Sequence, residues 1–543
     1  MNTPKLLTRL LLAAALTAQA QVDTRPVPAQ PRPSTLPADW QHGVFMEIFV
    51  RGYQDSDGDG IGDLRGLTRR LDYLQKLGVS GLWLMPITAS ADHDHGYATT
   101  DFRAIEPQYG TLADFDALVR EAHKRGIGIV MDYVVNHASY RFPAFQAALK
   151  DRGSPWRDWF VWNADPGPGW DIWGKYPWYD AATAPWTYTG ELKDLAPPKP
   201  GTPDTFFGTF GPHMPDFNLR NPAVVQYHED SLRFWLNRGL DGYRLDAVPH
   251  LIENNARDWN DQPESRRLTK QFQDLIKSYP NRYVVCEATA EPIAYGDPAL
   301  CGGAFAFNLN YEMVKAAQGD AAAVQKVADY YQTMSPTMAT FLHNHDIFTG
   351  RRLWDQLAGD EARYRLAAAS YLLLPGTPFV YYGEEIGQAG IDGAGDEPLR
   401  APMSWTPAGG FTTSDAPFRP LSPNRTSHNA ASQMRDAGSL FNFYRTLIQL
   451  RRSQPSLALG RYEAGQVDGP VWSFQRVQGS ERSVVAINYG DQPATVTLAG
   501  LPPAARAKAA YPAGGTALKA DAAGGARLTL PPLSLRVYRL DAR

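Results

Sequence analysis

Eight short apolar runs, each followed by a helical pattern, constrain this chain more than any other feature. They cover 44–50, 81–85, 128–135, 242–246, 283–286, 304–309, 338–342 and 378–382. Between the first two, Leu64, Leu67, Leu71, Leu74 and Leu77 recur at helical spacing, and Gly78 follows where a helix commonly ends. This segment reads as a crossover helix. Right-handed crossovers place all helices outside a closed parallel sheet and all strand C-termini on one face. The expected fold class is therefore α/β, a (β/α)8 TIM barrel, with its functional groups at that face.

A length of 543 residues leaves room for further domains around such a barrel. The alternation breaks over 138–219, a stretch of aromatics, Gly and Pro too long for an ordinary loop. It is expected to be a domain inserted after the third strand. Seven of the fourteen Trp fall between Trp156 and Trp186, where they could form stacking platforms for a ligand or simply the insert's own core. Beyond 460 the pattern changes to alternating runs at 471–477, 483–489, 494–498, 526–530 and 533–540, as in an all-β sandwich domain. The expected division is a signal peptide at 1–20, a Pro-rich linker at 21–39, the barrel at 40–137 and 220–459, the insert at 138–219, and the sandwich at 460–543.

The signal peptide is read from Lys5 and Arg9, the apolar run 10–16 and the small-residue site Ala18-Gln19-Ala20. It predicts a mature chain from Gln21, secreted or periplasmic. The apolar run is too short to remain as a membrane anchor. A charged fraction of 20% and a formal net charge of −4 give no basic footprint for nucleic acid. A neutral substrate is compatible with that balance. Cys286 and Cys301 are the two cysteines. They could form one bridge, or Cys286 could simply be a packed strand residue.

Four ionisable residues stand at or just beyond strand ends: Arg244, Asp246, Glu287 and Asp346. Cleaving a glycosidic bond with retention needs a nucleophilic carboxylate and a proton donor about 5 to 5.5 Å apart. Asp246 and Glu287 suit that pair, Asp346 adds a third negative charge, and Arg244, on the same strand face as Asp246, would keep the nucleophile ionised. Strand-end carboxylates also serve metal sites, so position alone does not decide the chemistry. A separate acidic turn, Asp55-Ser56-Asp57-Gly58-Asp59-Gly60-Ile61-Gly62-Asp63, sets carboxylates at alternate positions and suits a hard cation, with calcium fitting best. Gly66 stands where an EF-hand loop would have its closing Glu, so Asp63 would close the site instead.

Several separated motifs resemble those of the α-amylase family of glycoside hydrolases over nearly all the mature length. They are Asp132-Tyr133-Val134-Val135-Asn136-His137, Met214-Pro215-Asp216-Phe217-Asn218, the stretch 242–250, Glu287 after Val284-Val285-Cys286, and the stretches 341–346 and 376–387. The resemblance implies Asp246 as nucleophile, Glu287 as general acid/base and Asp346 as transition-state stabiliser. It places Tyr97, His137, Arg244 and His345 around the sugar and His250 on its leaving side. Asp94 and Arg400 match a pair that closes the pocket around a non-reducing-end glucose in exo-acting relatives. The calcium ligands it implies are Asp55, Asp57, Asp59, the Ile61 carbonyl and Asp63.

By the same resemblance, Ala247 after the nucleophile points to α-1,4 rather than α-1,6 cleavage. The Met214 motif is similar to that of members intermediate between oligo-1,6-glucosidases and neopullulanases. The expected function is hydrolysis of α-1,4-linked glucans and maltooligosaccharides by a monomer without an organic cofactor. The alternatives are an exo-acting α-glucosidase and a transglycosylase such as trehalose synthase, which Ala247-Val248-Pro249 also resembles. Further off stands a non-catalytic sugar-binding protein on the same fold.

Overall fold

The computed structural model describes residues 22–163, 169–170, 172, 185–188 and 205–540. The expected signal peptide, Gln21, Trp173 and Trp178 lie outside the described residues. Among the described residues, no helix is long and apolar enough to cross a membrane.

All eight apolar runs form barrel strands. These are β1 (Phe45–Ile48), β2 (Gly81–Leu84), β3 (Gly128–Val134), β4 (Gly242–Asp246), β5 (Tyr283–Cys286), β6 (Ala304–Phe305), β7 (Met338–Thr340) and β8 (Thr377–Tyr381). They close in sequence order into a parallel barrel in which β8 pairs with β1. The leucine repeat after β1 forms two helices, Leu64–Arg69 and Leu71–Leu77, jointed at Arg70 and ended by Gly78 at φ 101°. Glycine accepts that left-handed conformation without the cost of a Cβ.

Alternation along the strands explains the interior. Phe45, Trp83, Val130, Val285, Phe305, Ala339 and Phe379 form a buried apolar cluster with Trp40 and Tyr283 at its base. Trp40 and Phe45 stack at 5.3 Å. A Cβ on Gly81 would lie 2.8 Å from the Phe45 ring, and one on Gly128 2.3 Å from the Trp40 ring, so these strand starts must lack side chains. Two residues further along the strands, the inward positions become charged: Glu47 after Phe45, Asp132 after Val130, and Glu287 after Val285. On β4 both such positions are charged, Arg244 and Asp246. An apolar plug thus supports a charged layer at the C-terminal mouth.

The insert after β3 contains a helix (Pro143–Lys150) and a three-stranded sheet of Trp162–Asn163, Thr205–Phe207 and Trp186–Tyr188. Its described tryptophans pack within it: Trp156 against Trp159 at 4.6 Å, Trp162 stacked on Phe145 at 5.6 Å, and Trp186 against Phe207 at 5.0 Å. Of the two readings of this cluster, the insert's own core is the one these contacts support.

The C-terminal region holds a six-stranded antiparallel sheet facing a two-stranded one formed by Ala494–Leu498 and Ala526–Leu530. Strand Glu481–Asn488 shows how the layers join: Val485 and Ile487 belong to the main core, whereas Val484 and Ala486 face the small sheet. Period-two alternation lets one strand serve both faces.

The segment expected to be a Pro-rich linker is tied to the barrel surface. Val27 N donates to Asp230 Oδ1 at 2.9 Å, Gln30 N to Asn237 Oδ1 at 2.9 Å, and Arg103 Nη1 to the Arg25 carbonyl at 2.9 Å. Proline-rich chain leaves its remaining backbone groups unpaired by secondary structure, and here the helix Pro222–Asn237 and Arg103 of the strand Thr99–Ile105 supply partners. Cys286 and Cys301 form a disulfide that closes the loop carrying Glu287.

Candidate active site

Arg244 organises the charged layer. It is 1% exposed, and its guanidinium meets three carboxylates: Asp132 Oδ1 at 2.8 Å, Glu287 Oε2 at 3.0 Å, and Asp246 Oδ1. One cation cannot neutralise three buried anions, so the three carboxylates compete for Arg244. Burial pushes Asp132 up to about 6, with Arg244 pulling against it. Burial likewise raises Asp246, and Arg244 is the strongest influence keeping it ionised.

The backbone after β4 turns sharply. Ala247 sits at φ 49°, a left-handed conformation unusual for a residue with a Cβ. Its N–H thereby points at Glu287 Oε2, 3.0 Å away. Asp246 and Glu287 are thus held on neighbouring nitrogens of one guanidinium, with a backbone donor on the second carboxylate. Two carboxylates side by side at the barrel mouth can supply a nucleophile and a proton donor.

A second chain of contacts joins Asp346 to this centre. His345 Nε2 lies 3.2 Å from Asp346 Oδ2 and 2.8 Å from the Tyr97 hydroxyl, which in turn donates to Asp132 Oδ2 at 2.9 Å. The other nitrogen, His345 Nδ1, meets Glu47 Oε1 at 2.6 Å. Burial holds His345 far below the ordinary imidazole range, so it enters the site uncharged. Burial and the neighbouring Asp396 and Glu287 raise Asp346 well above the usual carboxylate range.

Arg400 closes this side. It reaches Asp94 Oδ2 at 3.2 Å, Asp396 Oδ2 at 3.1 Å, Asp346 Oδ1 at 3.7 Å and the His345 carbonyl at 3.2 Å. The Asp94–Arg400 pair expected from sequence is therefore present and adjoins Asp346. Tyr97 stacks on His345 at 5.5 Å, and Arg244 lies over the Trp83 ring at 5.2 Å.

Residues 47–460 match the family model for the α-amylase catalytic domain. The chain belongs to the α-amylase family. It is 34% identical over 505 residues to trehalose synthase/amylase TreS of Mycobacterium tuberculosis (strain CDC 1551 / Oshkosh), covering 83% of this chain and 80% of the relative. It is 28% identical over 534 residues to oligo-1,6-glucosidase of Parageobacillus thermoglucosidasius, with 83% and 91% covered. The crystal structure of an α-amylase from H. orenii superposes with a TM-score of 0.75 at 30% identity, covering 92% of this chain and all of that one. The protein is accordingly an α-amylase-family glycoside hydrolase or transglycosylase acting on O-glycosyl bonds.

In this α-amylase-family enzyme, His137 and His250 follow β3 and β4 and meet through Phe210. His137 is buried beside Phe210 at 5.3 Å between ring centroids, and burial pushes it down to about 3, so it stays neutral. His250 stacks on Trp259 at 5.2 Å with an interplanar angle of 11°. The acidic turn brings carboxylate oxygens of Asp55, Asp57 and Asp63 within 4.8 Å of one another. Asp59 stands outside that trio, its carboxylate accepting from Ile61 N at 2.8 Å.

Four functional neighbours escaped the sequence reading. Glu47 had a usable signal, since it is the acidic residue inside the otherwise apolar run of β1. Asp132 lay within a quoted motif and on the inward face of β3. Trp259 and Arg419 lie in irregular segments, where no periodicity marks an inward position.

Proposed function

We propose that this enzyme is a retaining, exo-acting α-glucosidase that takes single glucosyl units from the non-reducing end of short α-1,4-linked glucans. The observation carrying this reading is that Arg400 ties Asp94 to Asp346, setting a closed ion pair directly beside the trio Asp246, Glu287 and Asp346. A long chain would have to pass through that pair to be cut internally.

In the proposed reaction Asp246 attacks the anomeric carbon. The glycosidic C–O bond breaks, and the departing oxygen takes its proton from Glu287. The glucosyl ester neutralises Asp246 just as Glu287 becomes an anion, so the charge around Arg244 is the same before and after. This constancy suits a buried site with one fixed cation. In the second half, a hydroxyl oxygen attacks the same carbon, its proton passes to Glu287, and Asp246 leaves as a carboxylate. Asp346 lies next to where the sugar develops positive charge, neutral His137 offers its Nε2, unpartnered among the described residues, to a hydroxyl, and His345 holds Asp346 and Tyr97 in place.

A second reading rests on the 34% identity to a trehalose synthase/amylase. If the attacking hydroxyl belongs to a sugar held in the closed pocket, the same intermediate gives transfer or isomerisation. A product time course from maltose and maltoheptaose tests both readings. Glucose and maltohexaose are expected first from maltoheptaose. Early appearance of mid-length products would overturn exo action, and trehalose from maltose with little glucose would replace hydrolysis by isomerisation.

For the acidic turn, the proposal is a structural Ca²⁺ held by Asp55, Asp57 and Asp63, a set of hard oxygen donors that carries no ion pair among the described residues. Binding to the folded state alone would add stability by mass action. Chelation is then expected to lower Tm by about 5 °C and calcium to restore it. Asp57→Asn should make Tm indifferent to the chelator, whereas a wild-type Tm unmoved by chelation would refute the site.

A further inference from the structure

Asp94 carries two guanidinium groups rather than one. Arg400 Nη1 lies 3.2 Å and Arg419 Nη2 3.0 Å from the same oxygen, Asp94 Oδ2. Arg400 is also engaged with Asp396 and Asp346, so it cannot be committed to Asp94 alone. Arg419 has one other acidic neighbour, the exposed Glu397 at 3.7 Å.

Arg419 is placed with unusual firmness for a residue in an irregular segment. Asp55 N donates to the Phe411 carbonyl at 3.0 Å, and Phe418 N donates to the Gly60 carbonyl at 3.0 Å. A Cβ on Gly60, which sits at φ 92°, would lie 2.3 Å from the Ala416 carbonyl oxygen, so the segment packs directly on the acidic turn. The guanidinium lies near the Phe418 ring at 5.6 Å and its side chain is 12% exposed.

Two polar atoms of this pair are left over. Asp94 Oδ1 and Arg419 Nη1 are buried without a hydrogen-bond partner among the described residues. Buried polar groups are rarely left unpaired, and one acceptor beside one donor matches a sugar hydroxyl, which donates and accepts at once. We propose that Arg419 is a specificity-determining residue that fixes Asp94. Together Asp94 Oδ1 and Arg419 Nη1 receive the terminal glucose hydroxyls farthest from the anomeric carbon. The inference rests on the exo reading above and assigns that reading a residue beyond the Asp94–Arg400 pair.

The test compares wild type, Arg419→Ala and Arg419→Lys on 4-nitrophenyl α-glucoside and on its 4-deoxy and 6-deoxy analogues, with Tm recorded for each protein. Losing a hydrogen bond that involves a charged group should raise KM for the parent glucoside about ten-fold, with kcat changed by less than about three-fold. Arg419→Lys should recover part of that loss. Wild type should discriminate against at least one deoxy analogue by about ten-fold, and Arg419→Ala should lose that discrimination. A purely structural role would instead lower kcat on all three substrates and leave the deoxy penalty intact, which overturns the proposal. Should Arg419→Ala fold poorly, Arg419→Gln carries the same comparison. Maltoheptaose products from wild type separate the two failures. Internal cleavage would sink the exo reading itself, whereas end-wise release of glucose with an unaltered Arg419→Ala profile would sink only the role of Arg419.

Discussion

Asp246→Asn is expected to lower turnover by about 10⁴-fold or more on every α-glucoside, because an amide cannot form the glucosyl ester on which both half-reactions depend. The fold should survive. Asn has nearly the same shape, and Arg244 keeps Asp132 at 2.8 Å and Glu287 at 3.0 Å. Removing one of three crowded carboxylates also relieves repulsion, so Tm should hold or rise. Glu287→Gln separates the two roles. It removes the proton donor, at a cost of about 10² to 10⁴-fold on maltose. The loss should be far smaller for first-step attack on α-glucosyl fluoride, whose leaving group needs little protonation. Asp246→Asn should stay inactive on both. Single-turnover kinetics on the two substrates, with calorimetry as the control for folding, check this pattern. Equal activity of Asp246→Asn and wild type would remove Asp246 from the chemistry.

The parts of this site that sequence made legible share one physical basis. Residues on regular strands inherit a direction from the period-two pleat, so an acidic residue two positions after an inward apolar one must face the mouth. Asp246 and Arg244 on β4, and Glu287 just past β5, are visible for that reason. The same logic would have found Glu47, two residues after Phe45, and Asp132, two after Val130.

Other contacts lie beyond it. Arg400 and Arg419 reach Asp94 across 306 and 325 residues of sequence, from segments without periodicity. Their meeting is a product of tertiary packing. Family resemblance supplied the first of those pairs but not the second. The strands Arg461–Asp468 and Arg506–Tyr511 went unseen because their burial is partial and their alternation weak. The tie between the Pro-rich segment and the barrel was hidden because it uses backbone N–H groups, which every sequence possesses.

Arg244→Ala should be the most damaging single change to both fold and function, because it strands Asp132, Asp246 and Glu287 around an uncompensated cavity. Removing one partner of a buried ion pair costs about 3 to 5 kcal/mol, and here one side chain serves three carboxylates. The cluster's remedy is to bind protons, which neutralises the nucleophile and stops the reaction. The sign of the pH dependence follows. Burial already raises Asp132 and Asp246 in the folded protein, and loss of the cation raises them further. A carboxyl raised above its unfolded value favours the folded state at low pH, and that stability is lost as pH climbs through the folded value. The Tm deficit of Arg244→Ala should therefore be smallest near pH 4 and widen toward neutrality. The acidic limb of any residual kcat/KM should also move to higher pH than in wild type. Adding Asp246→Asn to Arg244→Ala should return part of the lost Tm, since one buried charge then disappears. Arg244→Lys should fall between, because a single ammonium cannot present two nitrogens to Asp246 and Glu287 at once. Calorimetry across pH 4 to 8 checks the set. A Tm deficit for Arg244→Ala that is flat with pH would mean that the three carboxylates do not depend on this guanidinium for their charge.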